Sequence, residues 1–148
     1  AVMISFCTRS ESASTSHPKL NPLLRAVSSK IERQCEGRLG STSGKPIPVA
    51  ATATPGTLIH TAVSGATSYD EVYIWASNVT AVAATLTVEW GGVTDPGSHM
   101  VKGYVLAANS LPTAISVGQV LNGASVVRAF SATASAINVT GYVNRITA

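Results

Sequence analysis

Charge is what this sequence has least of. Asp, Glu, Lys and Arg make up 11% of its 148 residues, against roughly 25% in an ordinary globular domain, which counts against a surface built for colloidal solubility alone. Aromatic residues are scarce as well, at 5%, so the 45% hydrophobic content comes mainly from Ala, Val, Ile and Leu. With abundant Thr, that composition suits strands rather than a helix bundle. No run approaches the roughly 20 apolar residues of a helical membrane span, so a soluble chain with no membrane partner is expected. The two cysteines, Cys7 and Cys35, both fall in the first part, which excludes a disulfide framework for the rest. Free thiols in a reducing cytoplasm are expected over a Cys7–Cys35 bridge, and the opening AVMISFCTRS lacks the basic lead and sustained apolar stretch of a secretory signal.

Catalytic signatures are missing too. His17, His60 and His99 lie far apart, without a partner at metal-ligand spacing. There is no G-x-S-x-G, phosphate loop or dinucleotide fingerprint. The DPG of Asp95 to Gly97 reads as a turn rather than half of a carboxylate pair, and GSHM at Gly97 to Met100 sits inside a hairpin pattern. The chain is therefore read as a non-enzyme that needs no cofactor and no metal. Two NVT triplets, Asn78 to Thr80 and Asn138 to Thr140, match the glycosylation pattern, which a Thr-rich, Val-rich chain produces by chance.

What is present divides into two parts. Residues 1–50 hold seven basic and three acidic side chains, 7 − 3 = +4, whereas residues 51–148 hold three basic and four acidic ones, 3 − 4 = −1. The first part is read as an arm. TRSESASTSHPK at residues 8–19 is too polar to offset its own ordering. NPLLRAVSSKIERQCEG then offers Asn21 as N-cap, Pro22 at the first helical position, an apolar stripe of Leu24, Val27, Ile31 and Cys35, and Gly37 as a stop. A short amphipathic helix is expected, with Leu24, Val27 and Ile31 as candidate partner-binding residues, because about four turns need something to pack on. A Pro/Gly-rich linker follows to residue 50. The cations of the arm are interspersed with acids and nearly free of aromatics, so a solvated arm or a strap on an acidic protein is favoured over nucleic acid.

From Thr57 the period changes to two. Strands are expected near residues 57–63, 71–77, 83–90, 100–107, 114–121, 125–132 and 136–146, separated by turn chemistries such as SNVTAV, GGVTDPGS and ANSLPT. The implied fold is all-β, an antiparallel β-sandwich of about seven strands over residues 51–148. In the third strand Ala84, Leu86, Val88 and Trp90 are expected inward, with Thr85, Thr87 and Glu89 outward; in the last, Ile137, Val139 and Val143 oppose Asn138, Thr140, Tyr142 and Asn144. Outward faces of Thr and Asn suit close neutral packing against another protein. Tyr73 and Trp75 are the candidate partner-binding residues of the domain, Trp75 on a contactable face and Trp90 in the core.

The segments GTLIHTAV, DEVYIWASNVTAVAATLTVEWGG with DPG, and NGASVVRAFSATASAINVTGYVNRI resemble small β-sandwich virion proteins of tailed bacteriophages, of the capsid decoration or cement type. The resemblance covers about residues 45–148 and is one of texture and segment order; DEVYIWASN, TVEWGG and GYVNRI are its most specific pieces. It implies a homo-oligomer, with a trimer favoured, on the outer capsid surface of a virion, clamping neighbouring major capsid subunits. Two alternatives stand beside it: a tail or baseplate subunit, and a host-surface carbohydrate-binding module using Tyr73 and Trp75.

Overall fold

The structure, a computed structural model, describes residues 32–34, 39 and 44–147. Its elements are β1 (Glu32–Gln34), β2 (Ile47–Pro48), β3 (Thr57–Thr61), β4 (Tyr69–Asn78), β5 (Ala84–Trp90), β6 (His99–Leu106), β7 (Thr113–Leu121), β8 (Val126–Ser131) and β9 (Ile137–Thr147). β4 shows why they form: Asp70, Val72, Ile74, Ala76 and Asn78 are buried and every intervening residue is not, the period of a sheet with one face on a core. β3 to β9 fall where the period-two spacing places seven strands.

The strands make two antiparallel sheets. One runs β1-β9-β4-β7, with β2 also on β9; the other runs β3-β8-β5-β6. Inward residues of both sheets form one hydrophobic cluster, including Val72, Ile74, Val139 and Val143 from the first and Ile59, Leu86, Val88 and Val127 from the second. This is an all-β architecture consistent with a sandwich. Each fully buried Val, Leu or Ile contributes about 1.5–3 kcal/mol over an exposed one, and Leu86→Ala, at a site of 0% exposure, falls in the class that costs about 2–5 kcal/mol.

Two expectations change. Inside the span read as a helix, Glu32–Gln34 form a strand antiparallel to β9, Glu32 opposite Thr147; the rest of that span lies outside the described residues. Leu24, Val27 and Ile31 lie outside the described residues, as do Cys7 and Cys35. Thr87 and Glu89, expected on an open outer face, are buried. Backbone comes to each of them: the Gly103 N–H donates to Thr87 Oγ1 at 3.1 Å and the Gly56 N–H to Glu89 Oε2 at 2.9 Å. Ahead of residue 51, Leu39 and Val49 belong to the same core, and Val49 hydrogen-bonds to Ile137 and Ser135 through its backbone. Trp90 packs against the core as read.

Candidate functional site

The outward residues of β4, β9 and β7 form one surface. Across β4 and β9, Tyr69 faces Ile146, Glu71 faces Asn144, Tyr73 faces Tyr142, Trp75 faces Thr140 and Ser77 faces Asn138. On the other side of β4, Val120, Val117 and Ala114 stand opposite Glu71, Tyr73 and Trp75. Among the described residues of β4, β7 and β9, this face carries one formal charge, Glu71, and its Tyr69, Val117, Val120 and Tyr142 are exposed. Tyr73 and Tyr142 stack with centroids 4.7 Å apart and planes 9° from parallel, and Trp75 stacks on Tyr142 at 6.0 Å and 26°. Cross-strand aromatic pairs of this kind contribute about 0.5–1.5 kcal/mol beyond their buried area.

Two glycines make the ladder fit. A side chain at Gly141 would run into the Tyr73 carbonyl and Leu39, and a Cβ at Gly118 would lie 3.0 Å from the Tyr73 hydroxyl. Gly118 has φ +93°, a region that favours glycine. It is skipped in the β4–β7 pairing, as is Ile115, so the free edge of β7 is bulged twice. Gln119 then folds back, its Oε1 accepting from the Val117 N–H at 2.8 Å and from the Ser116 hydroxyl.

The surface thus brings Tyr73 and Trp75 together through Tyr142. Their alternation put Tyr73, Trp75 and Tyr142 outward; what period alone could not supply is the pairing of the second and last strands of the domain, which sets Tyr142 between the other two. The stacking turns the faces of Tyr142 toward Tyr73 and Trp75, with Val117 and Val120 as aliphatic neighbours. Burying such a face removes apolar area from water and desolvates little charge, the condition for protein contact.

Titratable groups gather elsewhere. Asp70 has 0% exposure and accepts from His60 Nε2 at 2.8 Å, the Val63 N–H at 3.0 Å and Arg145 Nε at 2.9 Å. Burial alone would raise its carboxyl, but hydrogen bonds from Arg145 and His60, the Arg145 charge and the Val63 N–H together hold it below the usual carboxylate value. His60 belongs to one sheet and Arg145 to the other, so this network ties the sheets together. Asp95 is lowered by its hydrogen bond to Lys102, 2.7 Å away on the surface, where ion pairs stabilise little. Glu89 and His99 are paired across β5 and β6, and both side chains are shut from solvent. Among the described residues, no group of three His, Cys, Asp or Glu is placed to share a metal, and no helix is long and apolar enough to cross a membrane.

Asn78, the first residue of an NVT triplet, is 1% exposed and its amide nitrogen donates to the carbonyls of Val82 at 2.8 Å and Leu106 at 3.2 Å. In the folded chain this nitrogen is out of reach of a transferase. Comparison with protein-family models, with curated proteins and with solved structures found no match.

Proposed function

We propose that the protein is a structural subunit of a bacteriophage virion, a β-sandwich capsid decoration protein whose five-stranded sheet meets the major capsid subunit through its outer face. The observation that carries this reading is the aromatic and aliphatic surface of Tyr69, Tyr73, Trp75, Val117, Val120 and Tyr142, which bears one charge. A capsid seam is strengthened by added contact area and needs no chemistry at the clamp. Specific protein pairs bury about 1,600 Å² in total, and repeated copies on a shell add avidity. The resemblance of DEVYIWASN, TVEWGG and GYVNRI to decoration proteins supports the location.

The edge of β7 supports contact through the face rather than by strand addition there. Gln119 already occupies the Val117 N–H, and two bulges turn the strand from the straight register that an added strand requires.

Co-sedimentation of the full chain with empty shells of its own phage tests the reading. The wild-type chain is expected to sediment with shells, and Tyr142→Glu and Val117→Glu each to weaken binding at least tenfold. Binding that both variants retain in full would remove the face from the contact. Absence of binding, with signal on a glycan panel that Trp75→Ala abolishes, would transfer the protein to the carbohydrate-binding class, and labelling at the tail would transfer it to the baseplate.

A further inference from the structure

Asn122 follows β7 at the Asp70 end of β4, where Leu121 stands opposite Asp70. Of the chain's asparagines it alone precedes a glycine. Asn122 to Ser125 form a turn: the Ser125 N–H donates to the Asn122 carbonyl at 3.0 Å, and Gly123 and Ala124 have φ +62° and +56°, the signs of a type I′ turn. Two more backbone bonds dock this turn on the one between β3 and β4, the Gly123 N–H donating to the Gly65 carbonyl and the Ala124 N–H to the Val63 carbonyl, each at 3.0 Å. Asn122 is half-buried, while Gly123 and residues 64–67 are exposed. The Asn122 side chain has no hydrogen-bond partner among the described residues. Asn78, at the other end of β4, is the opposite case: its amide is fixed to the Val82 and Leu106 carbonyls, and valine follows it.

An untied asparagine amide ahead of glycine is a reactive pair. Once the glycine nitrogen gives its proton to hydroxide, it attacks the asparagine Cγ; the bond from Cγ to the amide nitrogen breaks, ammonia leaves with a proton from water, and a cyclic imide closes. Water then opens the imide at either carbonyl, leaving aspartate or its isomer isoaspartate. The sum consumes one water and releases one ammonia, with nothing oxidised or reduced. Glycine favours the attack because no Cβ obstructs the approach of its nitrogen.

We propose that Asn122 is a site of spontaneous modification in this protein, and that the Gly65 carbonyl sets its rate. In the closed fold the Gly123 N–H is engaged, so its proton is held and its nitrogen is directed at Gly65 rather than at Cγ. Reaction requires the exposed turn at residues 64–67 to release Gly123, a local opening that leaves the sheets intact. The step does not reverse. Aspartate adds a negative charge one residue from Leu121, the partner of Asp70. Isoaspartate adds one carbon to the main chain, which carries the Gly123 and Ala124 N–H groups off their acceptors. Val63, one of those acceptors, also donates to Asp70 Oδ2 at 3.0 Å, so the loosening reaches the carboxylate that ties the sheets together. The proposal is independent of the virion reading, because it uses neither the outer face nor a partner.

The test is peptide mapping by mass spectrometry of the full chain held in mildly alkaline buffer, folded and in urea, alongside Gly65→Ala. A Cβ at residue 65 meets no atom within 4 Å, so this substitution acts through the backbone at φ +91°, a region that favours glycine. In urea, Asn122 is expected to convert faster than Asn21, Asn78, Asn109, Asn138 or Asn144, yielding an aspartate and isoaspartate pair of peptides. In the folded wild type it is expected to convert more slowly by about tenfold or more, and Gly65→Ala to raise the folded rate while leaving the rate in urea unchanged. Folded chain left to convert is expected to lose melting temperature in step with its isoaspartate content. Conversion in urea led by another asparagine would overturn the site. Equal rates folded and in urea, or a folded rate indifferent to Gly65→Ala, would overturn the control by Gly65. A converted chain that melts like the fresh one would overturn the link to Asp70.

Discussion

Asp70 and Asn78 sit on the same inward face of β4, eight residues apart, and both are fully buried polar residues that organise what surrounds them. They do so by opposite means. Asp70 works with charge, drawing His60, Arg145 and the Val63 N–H onto one carboxylate. Asn78 works with a neutral amide that both donates and accepts, joining loops through their backbones. The carboxylate can anchor side chains from two sheets but requires cations at that end of the molecule. The amide requires none, and its end is free to be apolar. One strand thus separates an ionic end from a neutral one.

Removing each anchor sharpens the contrast. Asp70→Ala is expected to have the largest effect, about 3–5 kcal/mol by urea denaturation, because it deprives buried His60 and half-buried Arg145 of their carboxylate. Asn78→Ala should follow at about 1–3 kcal/mol, the cost of leaving buried carbonyls unsatisfied, with loops 79–83 and 107–112 gaining amide exchange. Equal losses from the two substitutions would break the comparison.

Acid separates them further. The folded-state value of Asp70 lies below its unfolded value of about 3.9, so its contribution is complete at pH values above the unfolded value and fades as pH falls through the lower, folded one. Thermal scans should show wild type losing stability on acidification in that range, Asp70→Asn starting lower but losing less, and Asn78→Ala keeping the wild-type acid slope. An Asp70→Asn profile parallel to wild type would show that the carboxylate's charge contributes nothing. The smallest effect belongs to the open face: Tyr142→Ala should cost the fold about 0.5–1.5 kcal/mol for the lost ring stack, in addition to its modest buried area, and leave the acid slope unchanged.

Much of this could be read in the sequence, and the reasons are local. Strands from Thr57 onward announce themselves by alternation, and the turns between them by Gly, Pro, Asn and Asp. The same alternation puts Trp75 on an outer face, and Tyr73 with it. What escaped depends on long-range pairing. Tyr142 joins the ladder because β4 pairs with β9, a contact across about seventy residues that no window contains. Glu89 follows its strand's polar period yet is covered by Gly56, which arrives from 33 residues upstream. Asn78 reads in the sequence as part of a chance glycosylation triplet, one residue past the strand expected at 71–77; its inward place appears only because β4 runs on to it. At Glu32–Gln34 a strand on β9 stands inside the span of helical spacing, the remainder of which lies outside the described residues.

The bulged edge of β7 bears on how such a molecule stays dispersed. Most soluble proteins keep apart through mutual repulsion, of which this chain, with a net charge of +3 and only 11% charged residues, has little. At this edge, crowded copies would otherwise be free to pair strand to strand. By folding Gln119 onto its own strand at Val117, the chain substitutes a steric stop for an electrostatic one. A stop of that kind is indifferent to ionic strength, so the same protection holds in dilute buffer and in brine.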